Sequence, residues 1–327
     1  MPWVSGLELW QWYQQATSAA IAADVSPNEL DWLLQEVASL DRLSLRLESF
    51  KDRPQQLTMP LQELDKLWQK RLNDRLPVQY IAHTAPWRQF KLVVSPAVLI
   101  PRPETEELID LAVAAANKAT TQIPNPATQE VEGQKRIGDL AVEHNANQLS
   151  QGHWVDLGTG SGAIALGLAA ALTNATINAV DRSEAALAIA QLNAQKFGLS
   201  DRIHFYQGNW WEPLASLKGQ IAGMVSNPPY IPSSLIPQLQ PEVAKHEPHL
   251  ALDGGADGLD CIRYLIQTSP AYLQPGGVWL IEMMAGQAQT VAELLHNQGD
   301  YCQIEIHTDL AGIERFALAY KGLETRG

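Results

Sequence analysis

From residue 153 onward the chain alternates short apolar runs with segments of helical periodicity, and this alternation restricts the possible folds more than any other feature. The sequence predicts strands at 154–157, 176–181, 203–207, 221–226, 277–283, 301–307 and 314–320. It predicts helices at 162–171, 183–196 and near 287–297. Strands that alternate with helices form βαβ units, in which each helix returns the chain to the same end of a parallel sheet. We therefore predict an α/β fold with a doubly wound, mostly parallel sheet and helices on both faces.

The first 76 residues have a different, helical pattern. Ser26-Pro-Asn-Glu29 has the form of a capping box with proline at the first helical position. Apolar residues then recur at the helical period from Leu30 to Phe50, and a further helix is predicted from about 60 to 75. We predict that residues 1–76 form a small helical bundle that carries no catalytic motif of its own.

The segments that follow the bundle are predicted to be connections and the start of the catalytic domain. Residues 78–81 and 90–94 have strand composition, which predicts a linking hairpin over 77–98. Pro103 is predicted to open a helix with acidic residues in its first turn, where the helix dipole favours them. Residues 119–152 are polar and lack a sustained period, so we expect a long connection within a catalytic domain spanning 99–327.

The tetrapeptide Asn227-Pro-Pro-Tyr230 is the most informative short motif. It follows an apolar run, and its two prolines remove two N–H donors and fix φ at both positions. The Asn227 side-chain oxygen and the Pro228 carbonyl can therefore accept the two hydrogens of a planar NH2 group, while Tyr230 lies against its face. Such a site suits an amide or exocyclic amine that is alkylated on nitrogen. The alternative is a strand-ending turn in which Asn227 is a local cap.

A glycine-rich loop, Asp156-Leu-Gly-Thr-Gly-Ser-Gly162, lies between the first predicted strand of the α/β region and its helix. Its glycines let the backbone approach a ligand at the helix N-terminus. The loop also fits the relaxed dinucleotide-binding pattern, with Asp181 at the spacing of the residue that binds ribose. By itself, therefore, the loop does not distinguish between a nicotinamide cofactor and S-adenosylmethionine. Asp156 favours S-adenosylmethionine, because it can face the ammonium of a methionine moiety, directly or through water.

Three further residues lie at or after the ends of the second and third strands of this region. Asp181 is placed to accept both ribose hydroxyls of a nucleoside, and it can also cap the helix after Ser183. Asn209 or the adjacent backbone could bond an adenine edge. Trp210 could flank the ring, with plain core packing as the alternative.

Composition excludes several classes of protein. The chain has 327 residues, 46% hydrophobic and 18% charged, and no apolar stretch approaches the ~20 residues that span a bilayer. Its net charge of −13 argues against nucleic acid as a direct partner, since proteins that bind nucleic acid usually show a basic face. Cys261 and Cys302 have no metal-type spacing, so no metal is expected, and reduced thiols indicate a cytoplasmic protein. The start of the chain lacks the features of a secretory signal.

Three rival functions are compatible with parts of this pattern. An adenine-N6 or cytosine-N4 nucleic-acid methyltransferase would use the same Asn-Pro-Pro-Tyr on a flipped base, but the acidic charge and the absence of a basic recognition domain oppose it. A NAD-dependent oxidoreductase has no supporting acid/base pair in the sequence. A cofactor-sensing protein without activity is opposed by the complete motif set.

Taken together, these motifs resemble the HemK/PrmC family of protein-(glutamine-N5) methyltransferases, over nearly the whole chain. The matching segments, in the family's order, are Pro77-Val-Gln-Tyr-Ile81, Val98-Leu-Ile-Pro-Arg-Pro-Glu-Thr-Glu106, residues 156–162, residues 227–230, His246-Glu-Pro-His-Leu-Ala-Leu-Asp-Gly-Gly255, Asp257-Gly-Leu259 and Asp309-Leu-Ala-Gly312. The segment ending at Glu106 is much more specific to the family than the Asn-Pro-Pro-Tyr motif. His83 and Gln89 stand where the family usually has hairpin glycines.

The resemblance implies an N-terminal helical substrate-recognition domain, a linking hairpin and a seven-stranded, Rossmann-like methyltransferase domain. It implies methylation of the glutamine in the Gly-Gly-Gln motif of class 1 peptide chain release factors, the proteins of translation termination. The implied contacts to S-adenosyl-L-methionine are Gly158, Thr159, Gly160, Ser161, Gly162, Asp181, Trp210 and Asn227. The implied substrate contacts are Asn227, Pro228, Pro229 and Tyr230, of which Asn227, Pro228 and Tyr230 would be catalytic. Because a sulfonium is a strong leaving group, the reaction requires neither a metal nor a covalent intermediate.

Overall fold

A computed structural model describes residues 1–118 and 149–323. Contacts between residues divide the chain into two units. The first comprises 1–85, 93–96 and 239–247, and the second comprises 86–92, 97–238 and 248–327. Most of the connection predicted over 119–152 lies outside the described residues. Among those that are described, no helix has both the length and the apolar composition needed to cross a membrane.

The elements within the described residues follow the chain in this order. The helices are α1 (Gly6–Ala22), α2 (Pro27–Ala38), α3 (Arg42–Arg46), α4 (Leu61–Asp74), α5 (Val78–Ala82), α6 (Glu107–Lys118), α7 (Ala163–Ala171), α8 (Glu184–Lys196), α9 (Pro241–His246), α10 (Asp260–Thr268) and α11 (Ala288–Gln298). The strands are β1 (Trp3–Val4), β2 (Gln55–Gln56), β3 (Thr84–Trp87), β4 (Phe90–Val93), β5 (His153–Leu157), β6 (Thr176–Asp181), β7 (Ile203–Gln207), β8 (Ile221–Ser226), β9 (Leu273–Glu282), β10 (Tyr301–Thr308) and β11 (Glu314–Lys321).

The first unit is helical, and it differs from the sequence prediction at the start of α2. The side chain of Ser26 makes no cap hydrogen bond, so the predicted capping box is wrong. Its other member, Glu29, instead accepts two hydrogen bonds from the buried guanidinium of Arg71, at 2.7 and 2.9 Å. Arg71 also donates to Glu242 of α9, at 2.8 Å. This ion-pair network joins α2, α4 and α9 within the unit, because a buried cation needs paired carboxylates.

The periodic stretch from Leu30 to Phe50 does not form one helix. Ser39 has a left-handed backbone with φ of 51°, which ends α2. Asp41 then caps the short α3 by accepting from the Ser44 N–H at 2.7 Å. The apolar side chains of Leu30, Leu33, Leu34 and Phe50 are nevertheless all buried in one core. The periodicity thus identified part of the core, but it missed the turn and included Leu43 and Leu47, which are exposed.

The predicted strand over 78–81 is also wrong, because these residues form helix α5. Pro77 precedes the helix and His83 ends it with φ of 54°, while Val78, Tyr80 and Ile81 are buried. Burial of this face overrides the strand propensity of valine, tyrosine and isoleucine. The hairpin within 77–98 is formed instead by β3 and β4. Of the two positions that lack the family's usual glycine, His83 has a positive φ, and Arg88 rather than Gln89 has the positive φ in the turn.

The second unit contains the predicted α/β sheet. Its seven strands have the order β10-β11-β9-β8-β5-β6-β7, and the pairs formed among β5 to β9 are parallel. β11 is antiparallel to both β9 and β10. A separate apolar core packs on each face of the sheet. The doubly wound, mostly parallel α/β fold is therefore confirmed. Because parallel strands end at one edge, the loops after β5, β6, β7 and β8 lie together.

Candidate cofactor and substrate site

A cavity of about 360 Å³ lies at the carboxyl ends of the parallel strands. Six of the predicted site residues line it: Gly158, Gly160, Asp181, Trp210, Asn227 and Pro229. Asn209, which the sequence suggested for an adenine edge, lines it too. The cavity is also lined by residues 97–99 and by parts of the segment 248–253. The sequence pointed to these parts of the chain only through the family resemblance.

The glycine-rich loop is held by the strand beside it. The N–H groups of Gly158 and Thr159 both donate to the Val180 carbonyl, at 2.9 and 3.0 Å. Gly158 and Gly160 have φ of 80° and 53°, which glycine adopts without steric cost. A Cβ on Gly160 would meet no atom within 4 Å, so the backbone there faces open space. The loop therefore offers bare backbone to a ligand.

Asp181 supports this loop and lines the cavity at the same time. Its Oδ2 accepts the Gly160 N–H and its Oδ1 accepts the Ser183 N–H, each at 2.8 Å. Burial raises the pKa of Asp181, although these N–H donors oppose the shift. Each carboxylate oxygen has two lone pairs, so acceptor capacity remains for ribose hydroxyls. The cap of α8 is provided by Ser183, whose hydroxyl accepts the Ala186 N–H at 3.2 Å.

Asp156 lies behind the loop rather than in the cavity wall. It is fully buried, and its Oδ2 accepts the Thr159 hydroxyl at 2.6 Å and the Ala165 N–H at 3.0 Å. Its Oδ1 is buried without a hydrogen-bond partner among the described residues. Burial raises the pKa of Asp156 to about 7. The arrangement does not provide the direct ligand contact suggested by the sequence, and Asp156 instead fixes the loop to the start of α7.

Three other predicted cofactor contacts also lie on the inner side of the loop. Thr159 and Ser161 are buried, and Thr159 bonds Asp156 as described. The Ser161 carbonyl accepts from the Asn193 side chain at 2.9 Å. Gly162 has φ of 83° and packs against Ala190 of α8, where a Cβ would come within 3.1 Å. Their assignment as cofactor contacts stays a prediction.

Trp210 lies in the cavity wall with an unusual backbone. Its φ of 54° is rare for a bulky side chain and marks local strain, which concentrates at functional sites. The indole is partly buried against the apolar core on one face of the sheet. Trp210 therefore both lines the cavity and packs on the core, and its contact with a cofactor ring stays a prediction.

The Asn-Pro-Pro-Tyr motif follows β8 and is held from several sides. Asn227 and Pro229 line the cavity, Pro228 is buried, and the Tyr230 ring packs partly against the core. The Tyr230 carbonyl accepts from the Gln287 side chain at 3.1 Å. The next residue, Ile231, is fixed by hydrogen bonds to Leu252 and Gly254. The motif is thus a rigid turn beside the cavity.

A buried hydrogen-bond chain behind Asn227 was not found from the sequence. The Asn227 Nδ2 donates to the Thr105 hydroxyl at 3.2 Å, which donates to Glu282 Oε2 at 2.7 Å. The Tyr230 hydroxyl donates to the other oxygen of Glu282, at 2.9 Å. Thr105 and Glu282 are 4% and 2% exposed. The sequence signal that could have revealed this chain was Glu282, an acidic residue at the end of the apolar run of β9, the strand next to β8.

Comparisons with known proteins identify the family of this chain. A family model described as "Methyltransferase small domain" matches residues 138–239, which include the glycine-rich loop and Asn-Pro-Pro-Tyr. A Synechocystis protein named release factor glutamine methyltransferase is 50% identical over 320 residues, 97% of each chain. Proteins of the same name from Thermosynechococcus vestitus and Gloeobacter violaceus are 46% and 42% identical, over 96% and 94% of this chain and 97% and 96% of theirs.

The chain belongs to the release factor glutamine methyltransferase family. The resemblance predicted from its motifs is confirmed, and the chain is an S-adenosylmethionine-dependent methyltransferase. The cavity fits this cofactor in three respects: bare backbone faces open space at Gly160, a carboxylate with spare lone pairs ends β6, and the Trp210 indole offers an apolar wall.

Proposed function

We propose that this methyltransferase transfers a methyl group from S-adenosyl-L-methionine to the side-chain amide nitrogen, N5, of the glutamine in the Gly-Gly-Gln motif of class 1 release factors. Full-length similarity to proteins named for release factor glutamine methylation supports this substrate. The observation that carries the proposal is the orientation of Asn227, whose Nδ2 is engaged by Thr105. The oxygen of the Asn227 amide is therefore available to accept an N–H of the substrate amide.

The cofactor would be held by the residues of the cavity. Gly158 and Gly160 would approach it through their backbone, Asp181 would accept its ribose hydroxyls, and Trp210 would lie against its base. When bound, S-adenosyl-L-methionine supplies an electrophilic methyl group on a sulfonium. Thr159, Ser161 and Gly162 keep the loop in the shape that allows this approach.

The protein's own residues then act on the substrate amide. An amide nitrogen is a poor nucleophile, because its lone pair is delocalised into the carbonyl. Hydrogen bonds from its NH2 to the Asn227 oxygen and the Pro228 carbonyl would orient the nitrogen for attack. They strengthen as the nitrogen gains positive charge, so they stabilise the transition state more than the ground state. Tyr230 and Pro229 would bound the planar group, and we assign the released proton to water.

We propose further that residues 1–76 select the release factor, joined to the catalytic region through 77–98. A glutamine side chain alone offers little surface, so selecting one glutamine of one protein requires contacts elsewhere. The exposed side chains of Arg42, Arg46, Lys51 and Arg53 form a basic surface suited to an acidic partner. In this proposal the enzyme acts in the cytoplasm, without nucleic acid or membrane as a direct partner.

The test is to incubate the protein with methyl-labelled S-adenosylmethionine and either a class 1 release factor or duplex and single-stranded DNA. Label should appear on the release factor, and mass spectrometry should locate it on the glutamine of Gly-Gly-Gln. A release factor with that glutamine changed to alanine is the matched control and should stay unlabelled. Label on DNA alone would replace this proposal with the nucleic-acid alternative.

A further inference from the structure

The chain of hydrogen bonds behind Asn227 has a direction that its chemistry fixes. An ionised carboxylate can only accept hydrogen bonds, so Glu282 Oε2 in that form obliges the Thr105 hydroxyl to donate to it, at 2.7 Å. Burial raises the pKa of Glu282, and the hydrogen bonds from Thr105 and Tyr230 and the charge of Arg315 oppose this shift. The single hydroxyl hydrogen is then used, and the Thr105 oxygen can only accept from Asn227. It therefore selects the NH2 end of the Asn227 amide, at 3.2 Å.

The opposite orientation of Asn227 is unfavourable for the same reason. With the amide turned over, its oxygen would face the Thr105 oxygen, and one of the two would have to give up its hydrogen bond. Thr105 and Glu282 are buried, so water cannot replace a hydrogen bond that either of them loses. The turned amide would also present NH2 to the NH2 of the substrate, donor against donor. A free asparagine has no such preference, since its two ends are nearly the same size.

Tyr230 completes the arrangement from the other side of the carboxylate. Its hydroxyl donates to Glu282 Oε1 at 2.9 Å, so each oxygen of Glu282 accepts a neutral donor. Burial and the charge of Glu282 raise the pKa of Tyr230, which keeps this hydroxyl protonated as a donor. The substrate motif is therefore linked to the same buried carboxylate at both Asn227 and Tyr230.

We propose that Thr105 and Glu282 are positioning residues, which act through a one-way hydrogen-bond chain to hold the Asn227 amide with its oxygen toward the substrate. The inference deepens the proposed function and rests on it for the identity of the substrate. It assigns to the segment 101–106 a role in orienting the catalytic asparagine. Neither Thr105 nor Glu282 touches the substrate in this arrangement.

The test is a double-mutant cycle between Thr105 and Asn227, measured on a glutamine peptide at saturating cofactor. Thr105→Val keeps the shape and removes the hydroxyl, so kcat should fall by about tenfold or more, the worth of one buried hydrogen bond. Thr105→Ser should recover most of that loss, because it restores the hydroxyl. Affinity for S-adenosylmethionine, measured by calorimetry, should change less than twofold in both variants.

The decisive measurement is the effect of Thr105→Val in an Asn227→Ala background. If Thr105 acts through Asn227, the second substitution should change the residual rate by less than about twofold. If it lowers that rate by the same factor as in the wild type, Thr105 acts independently and the proposal is overturned.

Glu282→Gln is a near-isosteric substitution that tests the same proposal, and it remains usable if Thr105→Val does not fold. Its amide can donate to Thr105, which frees the hydroxyl to donate to Asn227 and removes the directional preference. A loss of kcat that disappears in the Asn227→Ala background is expected, whereas a wild-type kcat in Glu282→Gln would overturn the proposal. If the wild type labels DNA and not glutamine, the proposed function fails, but the same cycle on that substrate still tests the chain.

Discussion

The backbone N–H of Gly160 donates a hydrogen bond to Oδ2 of Asp181, at 2.8 Å. It joins the glycine-rich loop after β5 to the end of β6. Asp181 therefore has two roles in the structure, of which the sequence suggested only the second. It holds the glycine-rich loop in place, and it presents a carboxylate to the cavity. Substitution of Asp181 should disturb both.

We expect Asp181→Ala to weaken S-adenosylmethionine binding by about tenfold to a hundredfold, since charge-assisted hydrogen bonds are worth roughly 1.5–3 kcal/mol. Isothermal calorimetry measures the change directly. Asp201→Ala, at an exposed position after α8, is the matched control and should bind the cofactor like the wild type. Unchanged affinity in Asp181→Ala would remove Asp181 from the cofactor site.

Asn227→Ala should lower the rate of methyl transfer by on the order of 10²–10³, by analogy with the loss of one preorganised transition-state hydrogen bond. The fold should be retained, because Asn227 is partly exposed at the end of β8 and forms none of the loop's supporting bonds. Single-turnover rates with labelled cofactor provide the measurement. Turnover near that of the wild type would exclude the proposed contact to the substrate amide.

The sheet could be predicted from the sequence because its strands are apolar, short and separated by helices of clear period. The predicted bounds of β6, β7 and β8 agree with the structure to the residue. Helix α5 was missed because tertiary burial decided the conformation of a five-residue segment with strand propensity. The local sequence pattern does not predict the conformation of a short segment when packing against distant residues determines it.

The site shows the same division between local and distant information. The cavity residues that follow parallel strands were predictable, because one edge of the sheet brings them together. The chain from Asn227 through Thr105 to Glu282 joins residues 122 and 177 positions apart. No local motif encodes such a contact. Asp156, placed in the loop motif by the sequence, belongs to β5, and its complete burial depends on the packing of α7, which its position in the sequence does not show.

The pKa of Asp156 predicts a specific pH dependence of stability. It is raised from 3.8 to about 7, so the folded state binds this proton more tightly than the unfolded state. Between about pH 4 and pH 7, Asp156 is mostly ionised in the unfolded chain and mostly protonated in the folded protein. The contribution of Asp156 to the free energy of unfolding should therefore fall with rising pH, at most by about 1.4 kcal/mol for each unit, and level off above pH 7.

Asp156→Asn tests this dependence, because its oxygen can still accept from Thr159 and Ala165 but the side chain does not ionise. Without cofactor, the free energy of unfolding of Asp156→Asn relative to the wild type should rise between pH 5 and pH 7. Urea unfolding at several pH values measures this difference. Asp201→Asn, at an exposed position, serves as control. A difference that does not vary with pH would show that Asp156 does not titrate in this range.

The basic surface of α3 and the turn after it leads to the final prediction, on substrate selection. Arg42 and Arg46 are exposed beside Leu43 and Leu47, which are each 64% exposed, so this surface offers both charge and apolar area. Of the acids beside these cations, Asp41 caps α3 and Glu48 accepts from Trp10 and Gln14, while Asp52 is exposed between Lys51 and Arg53. Deletion of residues 1–76 is a poor test, because it would also remove Arg71, the ion-pair partner of Glu242.

Charge reversal at two exposed positions is the sharper experiment. In Arg42→Glu/Arg46→Glu, the KM for an intact release factor should rise by about tenfold, since two exposed charge contacts of up to roughly 1 kcal/mol each are lost. The KM for a short Gly-Gly-Gln peptide should stay unchanged, because the peptide lacks the second region of the release factor that the proposal assigns to this surface. Lys66→Glu/Lys70→Glu, at exposed positions of α4, is the matched control for net charge and should leave both values near those of the wild type. Equal effects of the two double variants on the release factor would mean that total charge, and not this surface, attracts it.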